Sequence, residues 1–189
     1  LYEIEPGVYR LQFSNSYSAD PAEAVVEGSK VLYGRDMDDG EFTFTLDAAD
    51  ETTDAAIKDG SITLGNSKAE RLEASAPAAD DGKASVFSFE KLTFSRAGTY
   101  KFNVTEKITA SAKNGKLSGV TYDSNVSTVT ITVSDKDKGG NKTGKLAAAV
   151  TYSNSRHEDA DDKAFFSNTY EETGSASITG SKTITGRDF

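Results

Sequence analysis

The sequence predicts an all-β protein, an antiparallel β-sandwich whose long loops include short helical turns. Three observations predict it. Apolar and polar residues alternate in about seven separate stretches. Turn signals such as Asp39-Gly40, Ala97-Gly98, Asn114-Gly115 and Gly139-Gly140-Asn141 separate those stretches. The composition is rich in Thr and Ser, with 10 Phe and 8 Tyr available for a core and no Trp.

Taken in order, Ala24 to Tyr33 opens the set. Glu41 to Leu46 alternates strictly and puts Phe42, Phe44 and Leu46 on one face. Ser85 to Phe94 carries Phe87, Phe89, Leu92 and Phe94 and reads as one strand with a bulge or bend. Thr99 to Glu106 aligns Tyr100, Phe102 and Val104, and Val126 to Val133 aligns Val129, Ile131 and Val133. Leu146 to Tyr152 and Ala164 to Tyr170 complete the strands. Asp50 to Lys58 and Ser67 to Ala76 do not alternate and are expected to form short helical turns in crossover loops.

Two phrases are written twice. Residues 28–36 read G-S-K-V-L-Y-G-R-D and residues 180–188 read G-S-K-T-I-T-G-R-D. F-S-N-S-Y at 13–17 recurs as F-S-N-T-Y at 166–170. Both offsets are roughly 150 residues, the size of one compact domain. The expected organisation is the C-terminal end of a preceding repeat at 1–20, a complete repeat at 21–172, and the N-terminal strand of a following repeat at 173–189. Asp20-Pro21 and Glu171 to Gly174 are polar joints too short to act as floppy linkers, so neighbouring repeats are expected to stack end to end.

Charge and composition exclude several classes. A net charge of -9 with no Lys/Arg cluster is incompatible with neutralising nucleic-acid phosphates. No apolar run is long enough to cross a bilayer, so no membrane insertion is expected. Cysteine is absent, so an extracellular chain of this kind has no disulfide to staple it. Asp135-x-Asp137-x-Gly139 with Asn141 lacks the bidentate Glu of a calcium loop and reads as a solvated hairpin tip. The segment from His157 to Asp162 offers one imidazole and reads as a solvated acidic loop. No metal and no cofactor are expected, and the lone His has no nucleophile elbow near it.

Strand alternation places three polar residues on inward faces. Lys30 shares its face with Val26, Gly28 and Leu32; Glu106 shares one with Tyr100, Phe102 and Val104; Asn168 shares one with Phe166 and Tyr170. One reading puts each at a strand end with its head group in water. The other buries all three. A buried Lys is driven toward the neutral, nucleophilic amine, and a buried Glu toward the protonated acid. Beside the electrophilic amide carbon of an Asn, such a set can form an amide cross-link and release ammonia.

At these residues the chain resembles a known family. The pattern V-x-G-x-K-x-L-x-G-R-x-M at 26–37 is similar to the opening strand of streptococcal-type backbone pilin isopeptide-linkage domains, FctA-like and related to CnaB domains. G-T-Y-K-F-N-V-T-E at 98–106 resembles that family's Glu-bearing strand, and F-F-S-N-T-Y at 165–170 its last, Asn-bearing strand. The resemblance covers residues 23–171, with residues 47–84 departing most. It implies an Ig-like, CnaB-type sandwich in which the first and last strands lie side by side. It implies Lys30 as amine donor, Asn168 as acceptor and Glu106 as the catalytic acid/base. The implied role is a structural stalk repeat of a Gram-positive cell-surface fibre, pilin or adhesin, extracellular and anchored to the cell wall. That role involves self-processing once per domain and no enzymatic turnover.

A competing reading is a ligand-binding adhesin module that contacts a host glycan or protein through the 47–84 loop region. Partners expected on the first reading are adjacent repeats of the same polypeptide. Asn15 and Lys182 would be the corresponding cross-linking residues of neighbouring repeats, available for head-to-tail self-association.

Overall fold

The computed structural model describes residues 2–10, 13, 18–66, 69–108, 116–117, 119–136, 140–158, 160, 162–172 and 174–186. In chain order the strands begin with β1 (Tyr2–Glu5), β2 (Val8–Arg10), β3 (Ala22–Ala24), β4 (Glu27–Tyr33) and β5 (Thr43–Ala48). Helix α1 (Glu51–Lys58) follows, then β6 (Ile62–Leu64), β7 (Leu72–Ser75), β8 (Ala84–Ser88) and β9 (Leu92–Phe94). The chain continues through β10 (Gly98–Glu106), β11 (Lys116–Leu117), β12 (Val120–Thr121), β13 (Val126–Lys136), β14 (Lys142–Asn154) and β15 (Ala164–Tyr170).

Two five-stranded sheets face each other. One has the order β14-β13-β10-β5-β7 and the other β11-β12-β15-β4-β8. A three-stranded sheet, β3-β9-β6, closes one side, and β1-β2 is a separate hairpin. Among the described residues all strand ladders are antiparallel except one: β4 and β15 run parallel, with Lys30 opposite Phe166 and Leu32 opposite Asn168, and an isolated parallel bridge joins Asp20 to Lys145. The sandwich is therefore mixed, and its one parallel ladder joins the first and last long strands. Parallel neighbours need a long crossover; here nearly the whole domain serves as that connection.

The core follows the alternation read from the sequence. Phe42, Phe44, Leu46, Phe102, Val104, Val129 and Ile131 face inward from one sheet and its approach, and Leu32, Phe87 and Phe166 from the other. Phe44 stacks on Phe87 with ring centroids 4.0 Å apart and also meets Phe166 at 4.9 Å, so one ring ties the two sheets together. Gly28 lies under Phe87, and a Cβ there would fall inside that ring.

Asp50 to Lys58 forms a helix as expected. Asp50 caps it by accepting the Thr53 N–H at 2.8 Å, a contact worth about 1 kcal/mol. Asp54 and Lys58 pair one turn apart at 2.7 Å, and the buried Thr53 hydroxyl accepts the Lys101 N–H from β10 at 2.8 Å. The helix ends at Lys58 with Asp59 as its C-cap, and Gly60 follows with a φ of 79° that an L side chain adopts only with strain.

Two expectations are corrected. Ser67 and Lys68 lie outside the described residues, and the rest of the Ser67 to Ala76 stretch is not a helical turn: Leu72–Ser75 is strand β7, paired with β5 from Leu46↔Leu72 to Thr43↔Ser75. Leu72 and Ala76 are buried while Glu73 and Ser75 are exposed, a period-2 pattern too short to stand out in the sequence. Ser85 to Phe94 is not one bent strand. β8 pairs with β4 and β9 pairs with β3 and β6, so the chain changes sheets between Ser88 and Leu92. Residues 174–186, where the strand of a following repeat is expected, form no strand.

Candidate functional site

Three elements deliver the three inward polar residues to one place. Lys30 is the middle residue of β4, flanked by Phe166 of β15 and Ser85 of β8. Asn168 stands one inward position beyond Phe166 on β15, diagonal to Lys30. Glu106 ends β10 on the opposite sheet, where it is paired with Phe44. The cluster thus spans the sandwich, two members from one sheet and one from the other.

All three side chains are closed off from solvent. Lys30 is 0 % exposed, Asn168 1 %, and the Glu106 side chain 1 %. Lys30 Nζ lies 2.9 Å from Glu106 Oε1 and donates to Oε2 at 3.0 Å. Asn168 Nδ2 donates to Glu106 Oε1 at 2.9 Å. One carboxyl oxygen therefore touches both the amine nitrogen and the amide nitrogen. Asn168 Oδ1 accepts the backbone N–H of Asp123 at 2.7 Å. That donor fixes the amide orientation, since only the oxygen can face an N–H. The reading in which these head groups reach water at strand ends is excluded by their burial.

The electrostatics follow from the burial. Desolvation lowers Lys30 to about 8, against the pull of Glu106 in the other direction. Desolvation also raises Glu106 above the usual carboxylate range; Lys30 and Asn168 oppose this, and the Asp123 charge adds to it. Both shifts move the pair toward the neutral amine and neutral acid, because burying two charges costs several kcal/mol per ion. The Phe42 ring covers the amine, its centroid 4.7 Å from Nζ. Phe42 in turn meets Tyr122 edge-on at 6.0 Å. An amine whose charge burial disfavours, lying under an aromatic lid and touching a proton carrier shared with an amide, is equipped for acyl transfer from that amide.

Sequence reasoning placed Phe42 on an inward face without assigning it to the site, and missed Asp123. A backbone N–H carries no residue-type signal, so nothing in the sequence marks it. His157, expected in a solvated loop, is half-buried: Nε2 lies 2.6 Å from Asp123 Oδ2, and its ring meets Phe165 edge-on at 4.8 Å. Asn15 lies outside the described residues, as do Asp137 and Gly139 of the hairpin tip and the turn Asn114-Gly115. Lys182 is exposed in the strandless 174–186 segment, away from any strand partner among the described residues. Among the described residues no group of three His, Cys, Asp or Glu side chains is arranged to hold a metal ion. Among the described residues no helix is long and apolar enough to cross a membrane.

Comparison with known proteins agrees with the resemblance carried by the three motifs. No curated protein sequence matches the chain. Among solved structures, the major pilin from Streptococcus pyogenes aligns with 20 % identity and a TM-score of 0.43. Two mutants of the same pilin align at 16 % identity with TM-score 0.43 and at 18 % with TM-score 0.40. Each alignment covers 79 % of this chain and 50 % of the pilin, so the chain spans about half the length of the structures it matches. The family model described as FctA, Spy0128-like isopeptide containing domain, matches residues 26–171, most of the chain, with Lys30, Glu106 and Asn168 all inside the match. The chain belongs to the Spy0128-like isopeptide-containing domain family.

Proposed function

We propose that residues 21–172 are a stalk repeat of a Gram-positive surface fibre, locked by an isopeptide bond between Lys30 and Asn168. The observation that carries the proposal is the position of Glu106 Oε1, 2.9 Å from Lys30 Nζ and 2.9 Å from Asn168 Nδ2. Proton transfer within the buried pair leaves a neutral amine and a carboxylic acid. The amine lone pair adds to Cγ of Asn168, and the Glu106 acid gives its proton to Nδ2. The resulting carboxylate takes a proton from the former Lys30 nitrogen, and Nδ2 leaves as ammonia. One C–N bond forms, one breaks, and Glu106 is again a carboxylic acid. The event happens once per chain, so the protein processes itself and turns over no substrate.

The topology gives the bond a mechanical role. β4 and β15 are adjacent and parallel, so tension on the chain before β4 and after β15 pulls the two strands along each other in opposite directions. A covalent bond between Lys30 and Asn168 carries that shear directly, and residues 31–167 feel none of it. A chain with no cysteine gains in this way what a disulfide would otherwise supply. The duplicated phrases at 28–36 and 180–188 support assigning residues 1–20 and 173–189 to neighbouring repeats, the partners through which force would pass. On this reading the fibre is extracellular and attached to the cell wall.

The experiment is peptide mapping of the folded protein by tandem mass spectrometry. The expected product is a branched peptide joining the segment around Lys30 to the segment around Asn168. Recovery of both segments only as separate linear peptides would overturn the proposal.

A further inference from the structure

The reaction described above leaves one charge without an owner. When the amine adds to Cγ, the carbonyl electrons of Asn168 move onto Oδ1. Glu106 cannot answer that charge, because its carboxyl group already faces the two nitrogens. The oxygen instead points at a single backbone donor, the N–H of Asp123, at 2.7 Å. That distance falls in the range of donors that stabilise oxyanions in acyl transfer.

The donor sits in the short connection between β12 and β13, and an unusual number of contacts hold that connection in place. Asp123 Oδ1 accepts the Asn125 N–H at 2.9 Å, closing a turn over its own backbone. Asp123 Oδ2 accepts the Ser167 N–H at 2.9 Å, from the residue directly before Asn168. The same oxygen meets His157 Nε2 at 2.6 Å. The Asp123 side chain is only 5 % exposed. Its carboxylate therefore clamps the 123 backbone to the strand that carries the electrophile, and His157 braces the clamp from the β14–β15 connection.

Building on the cross-linking proposal, we propose that the backbone N–H of Asp123 is the oxyanion donor for isopeptide formation. The Asp123 carboxylate and His157 act as positioning groups that aim it. Electrons and atoms balance as before: the N–H stabilises the charged oxygen without giving up its proton, and the charge returns to the carbonyl when ammonia leaves.

The test follows bond formation in newly made chains. Full-length protein is synthesised in a short cell-free pulse, samples are quenched in denaturing acid, and intact mass gives the cross-linked fraction with time. Protease resistance of parallel samples gives the folded fraction, and the rate is taken per folded molecule. Loss of a single oxyanion donor costs about a hundred- to a thousand-fold in comparable reactions. Asp123→Ala, which frees the donor from its clamp, should slow the reaction toward that range. Asp123→Asn keeps one acceptor oxygen, enough for either the Asn125 or the Ser167 N–H but not both, and should recover only part of the rate. His157→Ala, on the half-buried loop, should slow it several-fold with the fold intact. A purely structural clamp would lower the folded fraction and leave the rate per folded molecule unchanged; that result in Asp123→Ala overturns the proposal. Should Asp123→Ala not fold, an unchanged rate in His157→Ala overturns it equally. Parent protein that never loses ammonia would instead refute the cross-link itself.

Discussion

Replacing Lys30 by Met removes the nucleophile and keeps an unbranched apolar chain of similar length in the same buried slot. The variant keeps Glu106 hydrogen-bonded to Asn168 and loses only the amine and the bond it would form. The covalent contribution can be worked from the positions of the two residues. A bond from Lys30 to Asn168 closes nearly the whole domain into a loop, and loop-closure entropy for that length is about 5 kcal/mol at 25 °C. For a domain of this size each kcal/mol moves the melting temperature by about 2–4 °C, so Lys30→Met should melt about 10–20 °C below the parent. Glu106→Gln provides the control: it keeps the amine and the amide, removes the proton carrier, and should fall by a similar amount. The assay is thermal unfolding followed by circular dichroism, with intact mass taken on the same samples. Agreement between the two variants assigns the loss to the bond, because they perturb the buried pair in opposite ways. Melting of both variants within ~2 °C of the parent would refute the reasoning, since no loop entropy would then be at stake.

Gly28→Ala tests the packing beneath the site. A methyl group there meets the Phe87 ring, which is held against Phe44 at 4.0 Å, so the ring must shift and stability should drop by about 1–3 kcal/mol in urea titration; an unchanged midpoint would contradict the packing account. Asn168→Ala cannot cross-link and keeps a titratable Lys30. The unfolded amine holds its proton to 10.5, while the folded one releases it at about 8 because burial disfavours the charge. Between those values the unfolded state binds more protons, so the variant should gain stability relative to the parent as pH rises through that window. A difference between the two proteins that is flat with pH would count against a buried free amine. Pulling a single molecule from both ends should extend Lys30→Met through an unfolding step and leave the parent's residues 31–167 unextended; an unfolding step of full length in the parent would show that no bond spans the parallel ladder.

Much of the site was legible in the sequence because period-2 alternation is strong around it. Phe102 and Val104 bring Glu106 inward, Phe166 brings Asn168, and Gly28 and Leu32 bring Lys30, and each of these faces is buried. The adjacency of β4 and β15 came from the family resemblance, since alternation alone does not select strand partners. Helix α1 was legible through its non-alternating stretch, and Asp50 caps it. β7 was not, because four residues with one firmly buried apolar side chain give too little periodicity to separate strand from turn. The switch of sheets between β8 and β9 was hidden for a related reason: Phe87, Phe89, Leu92 and Phe94 are all buried in one core, so their burial pattern carries no mark of which sheet each strand joins. Asp123 was invisible because its contribution to the site is a main-chain N–H whose aim depends on contacts from Ser167 and His157.

The most direct test of the central claim is the intact mass of the folded, purified protein set beside Glu106→Ala. The account predicts that the parent weighs less than its sequence by the mass of one ammonia, and that Glu106→Ala carries its full sequence mass. A parent at full sequence mass would contradict it.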